Sequence, residues 1–251
     1  MNTPAYRRLA DTLRTAISSG EYPPGATLPK LTELMAEHQV SKTTVAEAIA
    51  VLEREGLVQA VRRRGTVVLD RAIPKPVMRE RQVRRDEIGY YFDPTAQGWR
   101  ALAPTRIAYE TPPRDLAALL GAPASEPQLV RDRVIGDPDT GNAKQLAASW
   151  LPASIARGTV LEQTDTGHGG IYDRLEEMGY GLLEWQEIVT CRMPSEAERE
   201  LLAAPPGVPL QRVIRLCLSP RGEVVEINDT VWRSDLFAIG YELTRHETAQ
   251  R

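Results

Sequence analysis

The chain has 251 residues, enough to bury two hydrophobic cores, and a formal net charge of −3. No apolar run reaches membrane-spanning length, and Met1-Asn2-Thr3-Pro4 leads into a helical pattern without a signal peptide's apolar stretch, so a cytoplasmic protein with no membrane contact is expected. Cys191 and Cys217 lack metal-ligand spacing and lie in apolar, strand-like stretches, so both are expected as buried thiols, with no metal and no cofactor. The charge is unevenly divided: residues 1–85 carry 15 Lys+Arg against 9 Asp+Glu, and residues 86–251 carry 16 against 25. A basic front half suits a polyanion, whereas an acidic rear half suits solvent, a second subunit or a small molecule.

After Pro4, Leu9, Leu13 and Ile17 recur every four residues and predict a helix that Ser18-Ser19-Gly20 ends. Pro23, Pro24 and Gly25 make a turn, and Pro29 is read as the opening residue of a second helix with Leu31, Leu34, Met35 and His38 on one face. Ser41 is placed to cap a third helix, in which Val45, Ala48, Ile49 and Leu52 form the buried stripe. Lys42, Thr43, Ala46, Glu47 and Ala50 are left on the opposite face, and Gly56 fits a left-handed helix end. Residues 57–61 and 66–69 read as two strands joined by Arg62-Arg63-Arg64-Gly65, a cationic hairpin that needs the helices to pack on. A short helix followed at once by a basic hairpin is a winged helix-turn-helix pattern. Lys30, Thr32, Ser41, Lys42, Thr43, Thr44, Arg62, Arg63, Arg64 and Gly65 are its candidate DNA-contacting residues.

From Pro4 to Val68 the chain resembles the GntR family of bacterial transcriptional regulators. The resemblance rests on Pro24-Gly25, Leu28-Pro29, Ser41-Lys42-Thr43-Thr44-Val45, Glu47-Ala48, Leu52-Glu53, Glu55-Gly56-Leu57 and Arg64-Gly65-Thr66. It implies a regulator in the bacterial cytoplasm, held at the nucleoid when bound to an inverted-repeat DNA operator as a homodimer. Three positions depart from the family pattern: Thr32, Lys42 and Ala46 stand where arginine is usual. Lysine and threonine cannot reproduce arginine's bidentate fork on guanine, and Ala46 offers only apolar contact, for example to a thymine methyl.

Residues 71–85 carry Pro74, Pro76 and six basic side chains and are read as an extended linker, spanning roughly 50 Å if fully stretched. The front domain is thus expected over residues 1–70 and a second domain over residues 86–251. In the latter, residues 129–135 alternate, with Val130, Asp132 and Val134 on one face and Arg131 and Arg133 on the other. Residues 145–151 and 187–192 read as strands, and residues 171–178 as a helix after Gly167-His168-Gly169-Gly170. Ser195 with Glu198 forms a capping box, and residues 210–218 and 224–232 form a hairpin through Pro220-Arg221-Gly222.

This order resembles the UTRA ligand-binding domain of the HutC subfamily. The resemblance rests on Arg131-Asp132-Arg133, Trp150-Leu151-Pro152-Ala153, Ile171-Tyr172-Asp173-Arg174-Leu175, Ala197 through Leu202, Val208-Pro209-Leu210, residues 222–226 and Arg233-Ser234-Asp235. The implied fold is α+β, an N-terminal winged helix-turn-helix and a C-terminal antiparallel sheet with flanking helices, similar to chorismate lyase. In that family a small effector sits on the sheet, which implies Arg131, Arg133, Gly170, Tyr172 and Glu226 as effector-binding residues. Two arginines on one face make an anion fork, and Glu226 can accept from hydroxyls or an amine. The family often has serine at Gly170, so a hydroxyl contact is missing there while the backbone amides remain. The alternative for Arg131 and Arg133 is ion pairing with acids across the sheet.

The reading that follows is a homodimeric repressor released from double-stranded DNA by a small anionic or polar metabolite. A second is a DNA-binding regulator whose rear domain only dimerises. A third is a lyase-like enzyme, but the chain has no nucleophile–base pair and only three separated histidines, His38, His168 and His246, so no catalytic residue is assigned.

Overall fold

The apolar stripes close a three-helix core: α1 (Ala5–Ser18), α2 (Leu31–His38) and α3 (Lys42–Arg54) bury Leu9, Leu13, Leu34, Val45, Ala48 and Leu52 together. The computed structural model describes residues 3–70, 75–79, 83–85, 90–91, 98–123, 125–243 and 245. Its chain divides into two compact units, Met1–Pro74 with Ala203–Pro209, and Lys75–Leu202 with Leu210–Arg251.

In the first unit α2 starts later than Pro29 suggests. Lys30 is its N-cap, and the Lys30 amide donates to the Glu33 carboxylate at 2.8 Å, so the acidic third residue sets the helix start. Gln39 takes a left-handed φ of 52° and turns the chain into α3. Ser41 caps α3 as expected, its Oγ accepting from the Thr44 amide at 3.2 Å. Arg14 of α1 clasps Glu55 past the end of α3 through two bonds of 2.9 and 2.7 Å. The wing strands β1 (Val58–Val61) and β2 (Gly65–Val68) pair antiparallel. They gain an edge that the sequence pattern did not suggest: the Leu28 amide donates to Thr66 O and the Val68 amide to Ala26 O, each at 2.8 Å.

The second unit opens with short strands β3 (Lys75–Arg79), β4 (Arg84–Arg85), β5 (Tyr90–Tyr91) and β6 (Arg100–Ala101), then β7 (Arg106–Glu110) and α4 (Arg114–Leu120). Long strands β8 (Gln128–Gly136) and β9 (Ala143–Leu151) follow, then α5 (Ala153–Ala156), α6 (Gly170–Leu175), β10 (Glu184–Arg192), α7 (Glu196–Leu201), β11 (Leu210–Leu218), β12 (Val224–Arg233) and β13 (Phe237–Tyr241). The main sheet is antiparallel in the order β10-β11-β12-β9-β8, with β6 and β7 both on β8. Part of the stretch read as a linker is therefore structured: β3 pairs in parallel with β13, joining Val77 to Ile239. Sequence periodicity cannot see such a distant partner.

Strand alternation gives the sheet two different faces. One packs Leu129, Leu151, Cys217 and Val225 against α5 and α6. The other packs Val130, Trp150, Ile214, Leu216 and Ile227 against α4, and Leu210 and Val231 against Leu202 beyond α7. Only one of the cysteines is buried as expected: Cys217 is enclosed, whereas Cys191, near the end of edge strand β10, is exposed. Among the described residues no helix is long and apolar enough to cross a membrane.

Helix α7 carries the expected capping box, and Glu198 also meets Arg192 of β10. The Arg192 bond, helped by the Ser195 amide, holds the Glu198 carboxyl down to about 2. A depressed carboxylate stabilises the fold above its ordinary value and loses that contribution as pH falls through its folded value. With Arg192 about a third exposed, Glu198→Gln is expected to cost about 1–2 kcal/mol at neutral pH. Urea unfolding across acid pH should show the difference between the two proteins closing as pH approaches about 2.

Candidate functional site

Two separate constellations emerge, one in each unit. In the first, Lys42, Thr43, Ala46, Glu47 and Ala50 are exposed along α3, opposite the buried Val45, Ala48 and Leu52. Among the described residues the side chains of Lys42 and Thr43 have no hydrogen-bond or ionic partner. Ser41 and Thr44 differ from them: their hydroxyls lie 2.9 Å apart and Ser41 holds the helix start, so both serve the cap. Lys30 and Thr32 are exposed at the start of α2.

The wing tip also separates residues that the sequence left equivalent. Arg62 and Arg63 are exposed, with no side-chain partner among the described residues, and Arg63 adopts a φ of 64°. Arg64 turns back and donates to Gly25 O at 2.8 Å, bracing the wing against the loop before α2. Gly65 has a φ of 96°, and a Cβ there would stand 3.1 Å from the Thr27 methyl, so glycine lets the wing close on that loop.

In the second unit, a buried polar cluster lies on the α6 face of the sheet. Tyr172 of α6 donates to Glu226 Oε2 at 3.2 Å and stacks edge-on against Trp185. Glu226 is fully buried, and its Oε1 has no hydrogen-bond partner among the described residues. Burial pushes the Glu226 carboxyl above its ordinary value, although Ser149, Arg133, Arg215 and Tyr172 pull it the other way. Burial likewise raises the Tyr172 phenol. Arg133 donates to Ser149 Oγ at 2.7 Å while its Nε has no partner among the described residues. Asn228 donates to the same Ser149 oxygen at 3.1 Å.

Arg131 shares the strand face with Arg133 but is used differently. Its guanidinium donates to the carbonyls of Leu161 at 2.6 Å, Gln163, and Thr164 at 3.2 Å. Neither the fork nor the cross-sheet ion pair describes it. Burial, then the charge of Arg133, lowers its affinity for the proton. Two guanidinium groups thus sit on this face with no carboxylate of the described residues in ion-pair contact with either. Gly170 opens the six-residue α6 with a φ of 68°, a conformation in which a serine would be strained.

Sequence reasoning passed over Ser149 and Asn228. Ser149 had a usable signal, because it alternates onto the face of β9 that pairs with Arg131. Beside the cluster, Glu187 accepts from Arg215 at 2.7 Å and from Arg79, which ties β3 to the main sheet. Among the described residues no group of three His, Cys, Asp or Glu is placed to hold a metal ion.

Comparisons with known proteins agree with this division. Residues 5–68 match the family described as bacterial regulatory proteins, gntR family, and residues 107–238 match the UTRA domain. An uncharacterized HTH-type transcriptional regulator of Streptomyces coelicolor, SCO4628, is 29% identical over 98% of this chain and 95% of its own. The HTH-type transcriptional repressor NagR of Bacillus subtilis is 26% identical over 96% of each. A crystal structure described as that of a GntR-family transcriptional regulator superposes with a TM-score of 0.66 at 26% identity, over 97% of this chain and 99% of that one. With an exposed recognition helix and basic wing in one unit and an antiparallel sheet in the other, the chain belongs to the GntR family of bacterial regulatory proteins, a DNA-binding transcriptional regulator with a UTRA domain.

Proposed function

We propose that the chain is a HutC-type repressor that binds an inverted-repeat operator as a homodimer and leaves it when a small anionic or polar metabolite binds the UTRA domain. The observation that carries the metabolite reading is the pair of unmet polar atoms, Glu226 Oε1 and Arg133 Nε, on one buried sheet face. A buried polar atom left unpaired costs about 1–3 kcal/mol, so a ligand that supplies both an acceptor and a donor relieves a standing penalty. Two guanidinium groups without carboxylate partners favour a ligand with an anionic group, and Glu226 suits a hydroxyl or amine elsewhere on it. The repressor name of the Bacillus subtilis relative supports the direction of control.

On the DNA side, Lys42 and Thr43 are proposed to reach base edges, and Arg62 and Arg63 to hold phosphates or the minor groove. Lys30, Thr32 and Gly65 line the same approach. Ser41 and Thr44 act through the cap, and Arg64 through the wing brace.

The test combines two measurements. Thermal shifts of the full chain against sugar phosphates, amino acids and carboxylates should find a stabilising class, and that class should lower affinity for a footprinted operator. A set with no stabilising compound, or a stabiliser without effect on DNA, would leave a rear domain that only dimerises. Selection of preferred sites should change with Lys42→Ala or Thr43→Ala. Unchanged preferences in both would remove those residues from base reading.

A further inference from the structure

The opposite face of the same sheet holds a feature that the reading above does not use. Val134, Leu146 and Ala148, on the central strands β8 and β9, are only half-buried, and they floor a cavity of about 430 Å³. Val231 of β12 continues the floor, Leu201 of α7 closes one side, and Ala103-Pro104 closes another. Arg133 alternates to the other face, where its guanidinium meets Ser149.

Apart from Arg133, whose guanidinium lies on the other face, the charged side chains around this cavity are already paired. Arg106 bonds Glu110 at 2.6 Å and also meets Asp132. Arg192 holds Glu198 at 2.7 Å. Arg212 makes two 2.8 Å bonds to Asp229 and also meets Asp115. An ionic ligand would have to break one of these pairs, whereas an apolar one would bury the open floor and leave all of them intact. The volume lies within the range of small-molecule pockets, and the concave shape, walled on several sides, favours such a molecule over a flat protein surface.

We propose that this cavity is a second ligand site, for an uncharged and mainly apolar small molecule, on the face of the UTRA sheet opposite Arg133, Tyr172 and Glu226. It stands independently of the metabolite reading, because Tyr172 and Glu226 do not line it, and Arg133, which borders the floor on β8, turns its guanidinium to Ser149 on the other face.

The test uses the full chain and the uncharged probe N-phenyl-1-naphthylamine. Its fluorescence should rise and saturate at about one probe per chain. Ala148→Phe fills the floor, and Leu201→Arg puts a cation at the mouth. Each should weaken the probe by about tenfold or more. Leu201 is 52% exposed, so Leu201→Arg decides the matter if Ala148→Phe fails to fold. Absence of saturable binding, or equal binding by the folded variants, overturns the site. Tighter binding of the anionic analogue 8-anilinonaphthalene-1-sulfonate overturns the uncharged class. Dissociation of an oligomer by Leu201→Arg without loss of probe would assign this face to a second copy of the chain and also overturn the proposal.

Discussion

Replacing Arg62 and Arg63 together by alanine is expected to flatten the salt dependence of DNA binding, not merely to weaken it. A dimer making six to ten phosphate contacts loses about 10³–10⁵ in affinity between 50 and 200 mM salt. Removing two contacts per subunit takes four from that total, so the double variant should lose about a hundredfold less over the same interval. The effect should be alike on operator and unrelated DNA, since phosphate contacts position without reading sequence. Fluorescence anisotropy at several salt concentrations measures both quantities. An unchanged slope would mean that the wing does not touch DNA. Arg64→Ala should behave differently, loosening the wing itself, because that side chain braces Gly25 O.

The second large effect concerns Arg133 and its neighbour. Arg133→Ala should abolish the response of operator binding to the stabilising metabolite while leaving metabolite-free DNA affinity unchanged. A ligand shifts an equilibrium only by its difference in affinity between two states, and typical couplings of about 1–3 kcal/mol correspond to 5–150-fold in operator affinity. Arg131→Ala should instead cost roughly 2–4 kcal/mol of stability, because it strips three carbonyls of a common donor. Loss of DNA binding by a folded Arg133→Ala protein would break the assignment of roles to the two units. A retained response would make Arg133 structural.

These two arginines mark the limit of sequence reading in this chain. Alternation placed both on one face, which is correct, but Arg131 is held by main-chain carbonyls, and backbone partners leave no trace in residue identity. The helix-turn-helix was legible because its signals are local: four-residue stripes, Ser41 at a cap, a glycine at the wing. The long strands β8, β9, β11 and β12 were legible for the same reason. What escaped depends on distant or irregular pairing. Residues 26–28 join the wing without any alternation of their own, and β7 and α4, which lie among prolines, were not assigned from the sequence. Cys191 was misjudged because alternation gives the side a residue faces, not whether anything covers that side at an edge strand.

The parallel pairing of β3 with β13 has a consequence for how the protein is made. Phe237–Tyr241 leaves the ribosome roughly 160 residues after its partner Lys75–Arg79, whereas the hairpin pairs of the main sheet are complete as soon as their own turns emerge. Val77 is buried in the finished fold and must wait for Ile239 through most of translation. During that interval the nascent chain carries an unpaired strand directly behind a DNA-binding unit whose own core residues, Leu9 to Val68, have already been synthesised. Closure of this pair therefore comes late in the assembly of the second unit, after the hairpins of the main sheet can form.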